Sequence, residues 1–395
     1  MTSSNGHGTN PAFAVGVEAE RELEGLRALV GLRTNRVDVP LAAALAHEVP
    51  IYDGEQVRAA ARDDELGRAL QGEWTQVFAE GAGVVAVRGA VADLAMLDEV
   101  TACFERVMAE EEGPASDHFA PAGANTRIWN AHEKLAVREP ELFCRYNANA
   151  AVALASLAWL GPGYQVTAQV NVVKPGGAAQ DAHRDYHLGF MDAATLTHYP
   201  PHVHAMSACL TLQGAIAHAD MPLDSGPTQL LPFSQAWPSG YAASARPEVR
   251  ALFLERHVQL PLTRGDALFF NPALLHAAGD NRTADHRRIA NLFQVSSAFG
   301  RAMETLDRDR ICRAIYPSLL ALARGAELDG PALEQVIASA AEGYPFPSNL
   351  EVAWADDGIR PPAQADVLRA ALAAGDSAAQ FGAALDAHAV RTRSH

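Results

Sequence analysis

A short polar stretch, QDAHRDYH at residues 180–187, decides how the rest of the chain is interpreted. It contains His183-x-Asp185 at the end of a β-rich run. Because side chains two apart on an extended strand project from the same face, His183 and Asp185 can bind one ion together. Two imidazoles and one carboxylate suit three adjacent positions of an octahedral iron(II), with the others left open. The stretch therefore predicts a metal site that takes a second histidine from elsewhere.

His276 is the candidate for that third ligand. It stands in FFNPALLHAAG, residues 269–279, where an apolar strand delivers a histidine just before a glycine turn. A histidine bonded to a backbone carbonyl is the alternative for an isolated case. A rival His218-x-Asp220 occurs in the turn-rich segment 217–227, where strand geometry is not assured. We therefore favour the ligand set His183, Asp185 and His276.

Two arginines follow His276 in NRTADHRR, residues 281–288, at the start of a predicted strand. A dicarboxylate that chelates iron through its 2-oxo-acid end leaves its distal carboxylate in the pocket. An arginine fork can bind that carboxylate with two hydrogen bonds. Either Arg287 or Arg288 could do this, and the alternative is a solvated basic turn.

Short β-rich runs with Gly, Pro, Asp and Asn between them surround these motifs and predict a mainly β core. Long helices between the runs are missing, which favours an antiparallel sandwich or jelly roll over a parallel sheet. The predicted strands are residues 83–89, 164–173, 205–212, 229–232, 257–262, 267–271 and 288–296.

Helical spacing dominates on both sides of this core. We expect helices in residues 17–70, through Leu94 and Phe104, over residues 139–160, and again from Asp329-Gly330-Pro331 onward. The predicted division is a helical extension at 1–75, a β core with supporting helices at 76–300, and a helical extension at 301–395.

The composition limits the partners. The net charge of −16 opposes binding to nucleic acid or to anionic membranes, and no apolar run is long enough to span a bilayer. The first eleven residues show no secretory signal, so we expect a cytoplasmic enzyme. Four widely spaced cysteines indicate reduced thiols rather than disulfides or a zinc site. A homo-oligomer is compatible with the sequence.

Together these motifs resemble the phytanoyl-CoA dioxygenase family of iron(II)- and 2-oxoglutarate-dependent oxygenases. The resemblance covers residues 164–297, roughly a third of the chain. It rests on His183-Arg184-Asp185, on the turn DSGP at 224–227 that leads to LPFS at 231–234, on His276, and on the arginine after Asn281. Phe233 and Gln235 depart from the family pattern.

The resemblance implies a double-stranded β-helix, the cupin-like jelly roll, with iron between its two sheets. Its spacing favours Arg287 over Arg288 as the anchor for 2-oxoglutarate. It also implies that Gln169 and Asn171 point into the pocket for 2-oxoglutarate or substrate, although the polar face of a sandwich strand is usually the wet exterior.

The expected activity is hydroxylation of a small-molecule metabolite with iron(II), 2-oxoglutarate and O2, which releases succinate and CO2. Asp185 argues against halogenation because its carboxylate fills the position that related halogenases leave to chloride; a desaturation variant stays open. One alternative is a cupin-like metal-dependent isomerase or hydrolase that does not use 2-oxoglutarate. Another is a non-catalytic binding protein on the same scaffold.

Overall fold

The computed structural model describes residues 19–111, 125–345 and 361–393. The first eleven residues, on which the expectation about a secretory signal rests, lie outside these ranges. The strands are β1 (Ala44–Ala46), β2 (Val49–Asp53), β3 (Val84–Arg88), β4 (Asn125–Ile128), β5 (Gln165–Val173), β6 (Thr211–Ala217), β7 (Gln229–Leu230), β8 (Val258–Gln259), β9 (Ala267–Phe270), β10 (His276–Ala277) and β11 (Arg288–Ser296).

Helices precede the first strand, lie between several strands and follow the last one. They are α1 (Ala19–Val30), α2 (Gly54–Ala60), α3 (Asp64–Ala79), α4 (Leu94–Glu110), α5 (Ala131–Arg138), α6 (Pro140–Asn147), α7 (Ala150–Leu160), α8 (Ala193–Leu196), α9 (Pro201–Cys209), α10 (Gly240–Ala243), α11 (Pro247–Arg256), α12 (Arg308–Arg324), α13 (Gly330–Ala340), α14 (Gln364–Ala374) and α15 (Ala378–Thr392). In the ranges described, no helix is both long and apolar enough to cross a membrane. The cytoplasmic location stays a prediction.

Two sheets form the core. The major sheet has eight strands in the order β1-β2-β3-β9-β6-β11-β5-β4, and the minor sheet has three in the order β10-β7-β8. All pairs are antiparallel except β2 with β3. The minor sheet continues beyond β10 through a bridge between His276 and His183. The predicted jelly-roll fold with flanking helices is confirmed.

Alternation along β5 explains why helices cover one face of the major sheet. Val166, Ala168, Val170 and Val172 join the large apolar core formed with the helices, whereas Gln169 and Asn171 face a cavity between the two sheets. The polar stripe of β5 is therefore an interior surface rather than the wet exterior.

Several helix boundaries follow from capping side chains. Asp93 accepts a hydrogen bond from the backbone N–H of Met96 at the start of α4, and Asp329 does the same for Ala332 at the start of α13. Both helices lie where the sequence predicts them. The predicted helix over 139–160 is wrong as a single element, because Asn149 caps the start of α7 and separates it from α6.

Two further predictions of local structure are wrong. Residues 205–209, predicted as strand, belong to α9, which begins with Pro201 at its first position, and the strand starts only at Thr211. The predicted helical lead-in contains the hairpin β1–β2, whose two-residue turn places His47 and Glu48 at positive φ. That turn lacks the usual Asn-Gly signal. The predicted domain boundaries at 75 and 300 stay a prediction.

Candidate active site

Three side chains converge inside the sandwich. One ligand atom from each of His183, Asp185 and His276 lies within 4.8 Å of the other two, and the described part of the chain holds no other such group of three metal-ligand residues. Asp185 has one oxygen 3.7 Å from Nε2 of His183 and the other 3.3 Å from Nε2 of His276. The predicted ligand set is thus brought together as one cluster.

Backbone pairing produces this convergence. The backbone N–H of His183 donates to the carbonyl of His276 at 3.0 Å, and that of His276 donates back at 3.1 Å. The backbone N–H of Asp185 donates to the carbonyl of Pro272. The chain from 183 to 185 is therefore extended beside β10, and the two side chains project to the same side, as two-residue spacing predicts.

Hydrogen bonds of the two imidazoles set their tautomers. Nδ1 of His183 lies 2.8 Å from the carbonyl oxygen of Asp181, and Nδ1 of His276 lies 2.8 Å from that of Leu274. A carbonyl only accepts, so each Nδ1 carries a proton. In its neutral form each ring then keeps the lone pair of Nε2 for the common point, the arrangement typical of metal-ligating histidines.

The acid–base state of the cluster also suits a cation. Burial lowers the pKa of His183, and the neighbouring His276 lowers it further. The His183 ring is therefore neutral. Burial acts to raise the pKa of Asp185, but its neighbours His276, His183 and the donor Gln213 lower it to about 2, so its carboxyl group is ionised. Two nitrogen lone pairs and a carboxylate facing one another fit iron(II) or a similar divalent ion.

Gln213 of β6 is a member of the site that the sequence reasoning missed. Its Nε2 donates to Asp185 at 2.5 Å and lies 3.4 Å from the hydroxyl of Tyr186. The signal was a single long polar side chain in an otherwise apolar strand, TLQGAIA.

Arg184, between the two ligands in sequence, turns away from them and is 4% exposed. Its guanidinium donates to the carbonyls of Ser234 and Trp237 and packs on the ring of Tyr241. A Cβ on Gly240 would overlap this guanidinium, so the glycine is required for the close approach. Arg184 thereby fixes the ligand segment to the loop that follows β7.

The cluster borders a cavity of about 670 Å3 between the sheets. The size is within the range of small-molecule sites, roughly 300–1,000 Å3. Gln169, Asn171 and Arg288 line it, as do Trp129 and Tyr186.

The two arginine candidates occupy different faces of the strand, and the choice between them as the anchor for 2-oxoglutarate stays a prediction. Arg287 lies just before β11, is exposed, and pairs with Glu105 on the surface. Arg288 begins β11, is 7% exposed, and lines the cavity together with Leu292 on the same face. The strand begins at Arg288 as the sequence predicts, and because neighbouring residues of a strand face opposite sides, only one of the two arginines can enter the cavity.

Arg288 lacks a carboxylate partner among the described residues. Its Nη1 donates only to the carbonyl oxygens of Ser225 and Gly279, at 3.2 and 3.4 Å, and burial lowers its pKa to about 10. A buried guanidinium without a counter-ion is unfavourable, so this position suits an anionic ligand.

Gln169 and Asn171 both face the cavity, but they differ in their bonding. The amide of Gln169 accepts from Arg127 at 2.7 Å and donates to Gln294 at 3.3 Å. The buried Oδ1 of Asn171 has no hydrogen-bond partner among the residues described. Their contact with co-substrate or substrate stays a prediction.

The rival motif is a structural element. His218 is buried, with Nδ1 2.8 Å from the hydroxyl of Thr101 and Nε2 2.9 Å from that of Tyr146. Asp220 instead accepts from the backbone of Arg264 on the surface. His218 and Asp220 therefore do not form a shared ligand pair.

The model of the phytanoyl-CoA dioxygenase family matches residues 79–289, more than half of the chain. The chain belongs to this family. Family membership makes iron(II), 2-oxoglutarate and O2 the reagents of this enzyme, and the histidine–carboxylate cluster and the buried guanidinium of Arg288 fit the metal and the co-substrate. A comparison with curated proteins finds no match.

Among solved structures, the chain is similar to two non-heme alpha-ketoglutarate-dependent enzymes from nogalamycin biosynthesis. It is 19% identical to the epimerase SnoN over 60% of this chain and 82% of that one, with a TM-score of 0.42. It is 19% identical to the carbocyclase SnoK over 59% of this chain and 86% of that one, with a TM-score of 0.43. SnoN has also been solved with Fe3+, alpha-ketoglutarate and nogalamycin RO, a structure 18% identical to this chain.

Proposed function

We propose that this family member hydroxylates a small-molecule metabolite, with His183, Asp185 and His276 as the iron ligands and Arg288 as the anchor for 2-oxoglutarate. The observation that carries the proposal is the convergence of both Nε2 atoms and the Asp185 carboxylate on one wall of a cavity. The same cavity contains a buried arginine that has no carboxylate partner among the described residues.

Each residue has a definite task. The histidines present Nε2 because Leu274 and Asp181 hold Nδ1–H, and Gln213 holds the Asp185 carboxylate in orientation. Arg288 binds the distal carboxylate of 2-oxoglutarate in a region shielded from water, where charge-assisted hydrogen bonds are strong. The bound iron, 2-oxoglutarate and O2 supply the oxidising power, and 2-oxoglutarate leaves as succinate and CO2.

Asp185 supports hydroxylation over halogenation, because its carboxylate fills the position that a halide needs. The substrate is better sought among small metabolites than among acyl-CoA thioesters. A phosphorylated carrier favours a basic surface, whereas this chain has a net charge of −16 and only two lysines. The alternative of a metal-dependent isomerase or hydrolase that does not use 2-oxoglutarate is disfavoured by membership in a dioxygenase family.

The test has two stages. Anaerobic addition of iron(II) and then 2-oxoglutarate should produce a weak visible charge-transfer band in the wild-type protein and none in His183→Ala. With O2, a metabolite library that includes acyl-CoAs is then screened for succinate formation, and products are analysed by mass.

A product heavier by one oxygen atom supports hydroxylation. A product lighter by two hydrogens, or an isomer of the substrate, would keep the cofactors but replace the hydroxylase assignment. If the wild-type protein shows no band, and its iron(II) titration curve matches that of His183→Ala, the proposed metal site is overturned.

A further inference from the structure

A second cavity, of about 460 Å3, lies between α9 and residues 235–239 of the loop that follows β7. Its volume is also within the range of small-molecule sites, roughly 300–1,000 Å3. Among the residues that the structure describes, Arg184 is the one that lines both this cavity and the cavity beside the metal ligands. We call the second one the α9 cavity.

Arg184 brings a buried positive charge to the α9 cavity. Its Nη2 donates to two carbonyl oxygens, whereas its Nε is buried and has no hydrogen-bond partner in the described part of the chain. No described carboxylate pairs with the guanidinium, and burial lowers its pKa to about 10. A buried guanidinium is stabilised by an anionic group that accepts from it. The α9 cavity therefore suits a ligand with a carboxylate.

Two acceptor atoms in the lining lack a donor. Nε2 of His204 lies 3.2 Å from the carbonyl oxygen of Leu196 and carries the proton, so Nδ1 of the neutral ring is an acceptor. Gln235 donates through Nε2 to the carbonyl of Gly81, which leaves its Oε1 as an acceptor. His204 Nδ1 and Gln235 Oε1 are both buried without a partner among the residues described. A ligand that carries N–H donors would satisfy them.

The α9 cavity also has a negative group. Glu22 of α1 lines it and accepts from Oγ of Ser239 at 2.8 Å and from Arg246 at 3.0 Å. The lining thus contains a carboxylate as well as a guanidinium. This combination complements a zwitterion better than a ligand with a single charge.

Two indole rings form part of the apolar wall. The ring of Trp159 is oriented by hydrogen bonds from its Nε1 to the carbonyls of Ala208 and Thr211. Trp237 is buried and lines the same cavity. Aromatic side chains that are held in place favour an aromatic ligand, because rings pack on one another in offset or edge-to-face geometry.

We propose that the α9 cavity binds an α-amino acid with an aromatic side chain. Its carboxylate accepts from Nε of Arg184, its ammonium group donates to His204 and Gln235, and its ring packs against Trp159 and Trp237. This site is separate from the proposed function, which uses the cavity beside the metal ligands.

Cys209 provides a local reporter of binding. It lines the α9 cavity and is exposed, whereas the other three cysteines are buried. Alkylation of Cys209 by N-ethylmaleimide is followed by mass spectrometry on protein loaded anaerobically with iron(II) and 2-oxoglutarate. The ligands are L-phenylalanine, L-tyrosine and L-tryptophan, and calorimetry gives the affinity of each. Each is compared with its analogue without the ammonium group, such as 3-phenylpropionate, and its analogue without the carboxylate, such as phenethylamine.

We expect at least one of the three amino acids to slow the alkylation and to bind about tenfold or more tightly than both of its analogues. This comparison uses the wild-type protein, so it does not depend on the folding of a variant. His204→Phe should lose the preference for the amino acid over the analogue without the ammonium group. His202→Phe, the matched control on the exposed side of α9, should keep it.

The inference is overturned if none of the three amino acids binds and protects Cys209, or if the analogues bind as tightly as the amino acids. Competition between the amino acid and 2-oxoglutarate would also overturn it, because the ligand would then occupy the cavity beside the metal ligands. Equal loss of the preference in folded His204→Phe and His202→Phe would contradict the role of His204.

Discussion

Gln213 holds the metal-site carboxylate from the opposite sheet: its Nε2 donates to Oδ2 of Asp185 at 2.5 Å. Gln213 belongs to β6 of the major sheet, whereas Asp185 extends the minor sheet beside β10. This bond couples the spacing of the two sheets to the orientation of one candidate metal ligand. Residues that orient metal ligands affect metal affinity without contacting the metal.

We therefore predict that Gln213→Leu weakens iron(II) binding by about 10- to 100-fold, because the Asp185 carboxylate loses its donor. Anaerobic titration with iron(II) measures this change. Gln294→Leu is the matched control, since Gln294 lies directly across from Gln213 on β11 and also lines the cavity. Equal affinities of the two variants would contradict the role of Gln213.

His276→Ala and His218→Ala should fail in opposite ways. His276→Ala removes a ligand, so metal binding and succinate formation should be lost. His218→Ala should keep both but lower the free energy of unfolding by about 2–4 kcal/mol, because a buried ring and two hydrogen bonds are removed. Metal titration and denaturant unfolding distinguish them. Loss of metal binding in folded His218→Ala protein would reinstate the rival motif.

Arg288→Gln should raise the KM for 2-oxoglutarate by about 10- to 100-fold, since charge-assisted hydrogen bonds to a carboxylate are lost. Arg287→Gln should change it by less than about twofold, because Arg287 pairs with Glu105 on the surface. Succinate formation at varied 2-oxoglutarate concentration measures both. The reverse order would show that the outward-facing arginine is the anchor.

Glu304 should make stability depend on pH. Burial raises its folded-state pKa from 4.5 to about 7, so the folded state holds this proton more tightly than the unfolded state does. Its contribution to stability is complete below about pH 4.5 and is lost as the pH rises through 7.

Glu304→Gln isolates this effect, because the amide oxygen still accepts from the backbone N–H of Asn130 while the titration is removed. The variant should gain on the order of 3 kcal/mol relative to wild type between about pH 4.5 and pH 8. Denaturant unfolding at both pH values measures the gain. A difference that does not change with pH would contradict it.

Much of the site was predictable because its signals are local. The spacing of His183 and Asp185 predicts a shared face, and the glycine turn after His276 predicts a strand end. Gln213 was not predictable in the same way. A lone polar residue in an apolar strand shows that something unusual faces it, but its partner is 28 residues away in sequence and on the other sheet.

The predictions of local structure failed where the sequence pattern was ambiguous or its usual signal was missing. Residues 205–212 alternate well enough for a strand, but Pro201 starts a helix that runs to Cys209. The hairpin β1–β2 was missed because its turn uses His47 and Glu48 rather than glycine or asparagine. In the first case a local helix start outweighed the alternation, and in the second the turn lacked the residues by which such turns are usually identified.

By itself, the sequence determined the candidate metal ligands, the family and the jelly-roll class, since these depend on residue type and short spacing. The tertiary structure decided which arginine enters the cavity, because a shift of one residue in the start of β11 exchanges the inward and outward faces. It also decided that the polar stripe of β5 is interior. Helices pack against the other face of β5, and Gln169 and Asn171 therefore face the cavity.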